Sequence, residues 1–195
     1  YGFSGKIQFG IALRDPQKAD KSGSNGFESD NDGSGTTTTP ITSAIFSNMS
    51  VYGPRYNDTV MTSFDKNFQR GHHLRRNTSI SSMNNIICGW PEGIFIDGFR
   101  SRNNLDTAKT MHIKYDILAG MKKNWVVGND SAASGFNWAK YVSVWNDAAN
   151  KNIPVGASVN YPELKDPFNL GKPDFRMKPT SPGRNKSYWA IKGDT

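Results

Sequence analysis

The chain has 195 residues, enough for one domain with its own core or for part of a longer repetitive array. Its 19 Gly, 10 Pro and many Ser, Thr and Asn favour β-structure with frequent turns over a helical bundle. No run of about 18 apolar residues occurs, so the sequence holds no candidate membrane-spanning helix, and the single Cys88 excludes an internal disulfide. The net charge of +7 comes with no nucleic-acid-binding motif, so it reads as scattered solvated charge and nucleic acid is not an expected partner.

Tyr1 is not an initiator Met and no leader follows it, so the chain is expected to be processed or a piece of a longer one. Lys6–Leu13 alternates apolar and polar residues as a strand does, and Asp15-Pro16 stops it. Residues 20–40 form a polar loop without periodicity. Ile41–Val51 then opens the first of three stretches that end alike: SNMSVYG at Ser47–Gly53, MNNIICG at Met83–Gly89 and KYDILAG at Lys114–Gly120. The closing glycines stand 36 and 31 residues apart, within the period of solenoid repeats.

A short strand closed by a glycine corner, recurring at that interval, predicts successive coils of a parallel β-helix. Stacked coils are expected to place Asn48 over Asn85, with side-chain amides bonding along the axis. Residues 54–79 read as an insertion rich in charge and aromatics. Trp90-Pro91-Glu92-Gly93 reads as a turn and Ile94–Asp97 as a strand, and a third coil carries Met111–Gly120 and Trp125–Gly128.

From Asn137 the period changes. Trp138, Tyr141, Val142, Trp145 and Ala149 recur at helical spacing, which predicts a helix of about a dozen residues, with Asn137 as N-cap, covering one end of the solenoid. After Pro162 an extended segment is expected to pack along the solenoid through Phe168 and Phe175. The division is coils over 1–135, a capping helix over 136–150 and an irregular segment over 151–195, all in one domain.

The strings GKIQFGIALRDP, SNGFESDNDGSG, IFSNMSVYGP, HHLRRNTSISSMNNIICGWPEGIFIDG and DPFNLGKPDFRMKPTSP resemble a family of uncharacterised surface proteins of Bacteroidota. The resemblance spans almost the whole chain, most clearly 1–98 and 166–182. It implies an all-β, right-handed parallel β-helix, distantly similar to pectate lyases in fold. It also implies the C-terminal half of a longer protein, carried at the outer-membrane surface as a lipoprotein or exported by the type IX secretion system. No activity comes with it.

Among candidate sites, Glu28, Asp30 and Asp32 alternate, so an extended backbone would point all three carboxylates one way. With Asn25, Asn31 and Ser34 they are candidate Ca²⁺ ligands, although the closing bidentate Glu of a calcium loop is missing. In RGHHLRR, two His and three Arg could grip a carboxylate or phosphate; His73, Arg75 and Asn77 could share one face of a strand, while His72 faces the other side. Trp90 and Trp125 are candidates for stacking on sugar rings. Asp58-Thr59-Val60, Asp106-Thr107-Ala108 and Asp130-Ser131-Ala132 match the Asp-Ser/Thr-aliphatic pattern that the resemblance implies for O-glycosylation, at Thr59, Thr107 and Ser131. Cys88, in an apolar strand, is expected to be buried.

A lyase needs acids and a base gathered on one sheet, and only Asp97, Arg100 and Arg102 cluster. The leading expectation is a non-catalytic surface module that binds a glycan or docks to an outer-membrane complex. The alternatives are a polysaccharide lyase or hydrolase using the lateral face, and a structural subunit with a broad apolar patch.

Overall fold

The computed structural model describes residues 2–59, 63–128 and 138–186. Four coils each place one short strand in each of three parallel sheets. The first coil contributes β1 (Lys6–Gln8), β2 (Ile11–Leu13) and β3 (Phe27–Ser29), and the second β4 (Ile45–Ser47), β5 (Ser50–Tyr52) and β6 (Arg70–Leu74). The third gives β7 (Ser81–Met83), β8 (Ile86–Cys88) and β9 (Glu92–Ile96), and the fourth β10 (Ile113–Lys114), β11 (Ile117–Ala119) and β12 (Lys123–Val127). The protein is a parallel β-helix. Its interior is built by stacking like on like: Val51, Ile87 and Leu118 are in register and at most 2% exposed.

The three glycines that align in sequence stack in space. The Gly53 N–H donates to Cys88 O at 2.8 Å, Gly89 to Ala119 O at 3.0 Å and Gly120 to Gly156 O at 2.9 Å. Gly89 (φ 73°) and Gly120 (φ 65°) need the left-handed region. Gly53 is required for space instead, since a Cβ there would lie 2.5 Å from Gly89 O.

Between the first and second sheets every coil turns in two residues. The first of them is left-handed throughout: Phe9, Asn48, Asn84 and Tyr115, with φ between 56° and 61°. Each such non-glycine residue costs about 1–2 kcal/mol. The position after it offsets part of that cost. Met49 N–H donates to Asn85 Oδ1 (2.8 Å), Asn85 N–H to Asp116 Oδ1 (2.8 Å) and Asp116 N–H to Asn152 Oδ1 (2.9 Å). The axial ladder is therefore Asn85–Asp116–Asn152. Asn48 stands in register with Asn84, one position away from the expected pairing with Asn85.

Several elements differ from the sequence expectation. Lys6–Leu13 is two strands, because Phe9 turns the corner. The polar loop contains β3, whose Phe27 enters the core, and the expected insertion over 54–79 contains β6. Helix α1 (Phe99–Asp106), between β9 and β10, buries Leu105.

A second helix, α2 (Trp138–Asn146), brings the Trp145 ring to 5.4 Å from Trp125, and its indole N–H donates to Ile153 O at 2.9 Å. The predicted N-cap Asn137 lies outside the described residues. The outer face of the second sheet carries Tyr52, Cys88 and Ala119; Val159 and Gly156 meet Cys88 and Ala119, and the segment after Pro162 covers Tyr52. That segment is a hairpin of β13 (Leu164–Asp166) and β14 (Asp174–Met177). Phe168 and Phe175 meet the Tyr52 ring at 5.1 and 5.4 Å. Cys88 is fully buried there and its thiol is pushed far up by burial, which makes it a packing residue.

Candidate functional site: the outer face of the third sheet

The third sheet, β3–β6–β9–β12, sorts its side chains by alternation. Phe27, His72, Ile94 and Trp125 form an inward row, and Glu28, His73, Phe95 and Val126 an outward one. Adjacent histidines thus part company. His72 is enclosed, stacked on the Phe27 ring at 4.6 Å, and burial lowers its pKa to about 3, so it is an uncharged core residue. His73 turns outward and stacks on Phe95 at 5.0 Å.

Around His73 the face is a lattice of opposite charges. Arg75 bonds Glu28 Oε1 at 2.5 Å through Nη2 and Asp30 Oδ1 at 2.6 Å through Nε, and Arg76 reaches Asp30 at 3.2 Å. Arg70 bonds Glu92 at 3.0 Å while its guanidinium carbon lies 4.4 Å from the Phe95 ring centre. Lys123 adds a 4.0 Å contact to Glu92. Asp97 Oδ2 stands 3.6 Å from His73 Nε2. His73 is only 6% exposed, and neither ring nitrogen has a hydrogen-bond partner among the described residues. Its pKa is lowered by burial and then by Arg70 and Arg75, against the pull of Glu28 and Asp97, so it stands neutral at pH 7 as one donor and one acceptor.

The structure brings His73, Arg75, Glu28 and Asp30 together, as their alternation implies, but it redistributes the other candidates. Asp32 has left the group: its carboxylate accepts the Ser34 N–H at 2.8 Å and the Thr36 N–H at 3.0 Å, closing its own turn. Glu28 and Asp30 are already held by Arg75. Among the described residues no group of three His, Cys, Asp or Glu converges as a metal would need.

Trp90 is not available to a sugar. It is fully buried, meets Phe68 edge-on and donates its indole N–H to Val51 O, because the ring lies inside against Val51, Gly53, Phe68 and Gly71 of the second coil. Trp125 points inward, half-buried, and packs on Trp145 against the core. Asn77 is buried, with its amide on Thr36 O, and does not share the face with His73. Arg100 bonds Gly35 O and Arg102 lies over Phe99 beside Asp106, so neither joins Asp97. Thr59 and Thr107 are exposed, and Ser131 lies outside the described residues.

Sequence reasoning missed Arg70's pairing with Glu92, and it missed Phe95 and Lys123 altogether as members of the face. The signal was present but needs register. RGHHL and EGIFI align residue for residue, 22 positions apart, once both are known to be strands. No helix among the described residues is long and apolar enough to cross a membrane.

A family model described as a pectate-lyase-like β-helix domain matches residues 1–158, which span all four coils and the start of the closing segment. No curated protein and no solved structure matches the chain. Its stacked parallel coils agree with that match, and the chain belongs to the pectate-lyase-like β-helix domain family.

Proposed function

We propose that this protein is a non-catalytic module of a bacterial cell surface that binds a glycan along the outer face of its third sheet. The observation that carries the reading is His73: a neutral imidazole, more than nine-tenths buried, with neither nitrogen hydrogen-bonded among the described residues, set among paired charges. A buried polar atom without a partner is costly, and a ligand hydroxyl that displaces the side chains over the ring supplies what it lacks. The surrounding carboxylates and guanidiniums accept and donate at successive coils about 4.8 Å apart, a spacing that suits an extended polymer. The surface address rests on the resemblance of the sequence strings to outer-membrane proteins. Docking to a protein of such a surface complex through this face is the variant of the reading that a glycan screen separates.

A glycan array probed with the wild type and with His73→Ala tests the proposal. Retention on specific glycans by the wild type, lost in the variant, supports it, and binding to none by either protein contradicts it.

A second reading, catalysis, is favoured by one contact. Asp97 lies 3.6 Å from His73 Nε2, close enough to orient the ring as a general base. It predicts release of new reducing ends from a bound polysaccharide by the wild type and not by His73→Ala.

A further inference from the structure

The ligand class follows from how the face balances its charge, and this step rests on the glycan-binding reading above. The protein as a whole carries +7, which on its own would favour an acidic polymer. The third-sheet face does not share that excess. Among the described residues four carboxylates, Glu28, Asp30, Glu92 and Asp97, stand against four cations, Arg70, Arg75, Arg76 and Lys123.

The pairs are close, and the Nε–Nη2 edge of Arg75 is engaged. The Arg75 fork, whose geometry matches a planar carboxylate, is filled from within by Glu28 and Asp30. A uronate would have to displace one of them and leave a carboxylate beside its own. A hydroxyl meets no such obstacle. Paired carboxylates retain free lone pairs to accept an O–H, and the neutral ring of His73 both donates and accepts.

We infer that the site takes an uncharged polyhydroxylated glycan and rejects acidic ones, the Glu28–Arg75–Asp30 cluster acting as its filter. The lattice is therefore read as a specificity device: the negative side chains turn away the acidic polymers that the rest of the surface attracts.

Calorimetric titration of the protein with neutral hexasaccharides of glucose and of xylose, and with a hexasaccharide of galacturonic acid, at low and high NaCl tests this. A neutral hexasaccharide is expected to bind with less than about a twofold change in affinity between the two salt conditions, because no net charge is exchanged. The acidic one is expected not to bind the wild type. Glu28→Gln/Asp30→Asn, which frees the Arg75 fork, is expected to gain the acidic ligand, with affinity that falls steeply as salt rises. Thermal melting of the variant confirms that it is folded.

Preferential binding of the galacturonic acid chain by the wild type would overturn the inference while leaving glycan binding intact. Binding of no saccharide by either protein would overturn both.

Discussion

Asn85 and Asp116 occupy the same corner position one coil apart, and the Asn85 N–H donates to Asp116 Oδ1 at 2.8 Å. The carboxylate is fully buried. Its other oxygen takes the Ser82 hydroxyl, whose Oγ in turn lies 3.3 Å from His72 Nε2. A chain of polar groups thus runs through the interior and ties the third coil to the fourth. It is a cohesive device, sealed from solvent, and it meets the third sheet at His72 on the inner face.

Asp116 should make stability depend on pH. Burial raises its carboxyl from 3.8 to about 7, against the lowering effect of Ser82 and the Asn85 N–H. A folded value above the unfolded one means that the folded state holds the proton more tightly. Below about pH 4 both states are protonated and the group contributes nothing. Between about pH 4 and 7 stability falls, by on the order of 4 kcal/mol in all, and above pH 7 the deficit persists. Asp116→Asn keeps an acceptor for Asn85 and removes the charge, so it should melt higher than the wild type at pH 8 and show a flatter pH profile of melting temperature.

Asn152 anchors the closing segment to the last corner. Its side chain accepts the Asp116 N–H and donates to Ile113 O at 3.0 Å and Trp145 O at 3.3 Å. Asn152→Ala should cost about 1–3 kcal/mol in urea unfolding, because a buried N–H loses its acceptor. Faster amide exchange should accompany it in 150–156 and at Asp116.

Gly89 combines a left-handed backbone with a missing side chain that nothing could replace, since a Cβ would lie 2.6 Å from Arg55 O. Gly89→Ala is expected to cost at least about 2 kcal/mol by thermal or urea unfolding. Gly33→Ala, where φ is not left-handed and no atom lies within 4 Å of the added carbon, is expected to be near neutral.

Trp90→Ala should destabilise by about 3–5 kcal/mol, as for a large core aromatic. It leaves the outer face intact, so any of the protein that remains folded should bind ligand as the wild type does. Loss of binding with unchanged melting would mean instead that Trp90 touches the ligand.

The coil architecture was legible because three corners repeat a glycine that geometry demands, and the spacing between them measures one turn of the solenoid. What hid the remaining elements was brevity and variable loops. A three-residue strand such as Phe27–Ser29 has no period of its own, and its partner, Phe27 against His72, stands 45 residues away. The first coil has Arg14 where the others have glycine, its N–H still bonding Tyr52 O, so the corner could not be found by that residue. Helix α1, FRSRNNLD, is polar on almost every side and is held by tertiary contacts. At the site, alternation correctly grouped Glu28 with Asp30 and separated His72 from His73. Nothing local showed that Arg75 would satisfy both acids, or that Trp90 beside its turn would be enclosed by the second coil.

The central claim is that ligand is held on the third-sheet face through His73, and the most direct test is calorimetric titration with a neutral hexasaccharide taken from the array. The comparison is wild type against His73→Ala, with Lys172→Ala, on an exposed turn far along the chain, as control. Loss of two hydrogen bonds should weaken binding by about tenfold or more in His73→Ala, with the control unchanged. Equal affinity in all three proteins, or an equal loss in the control, would contradict the assignment of the site.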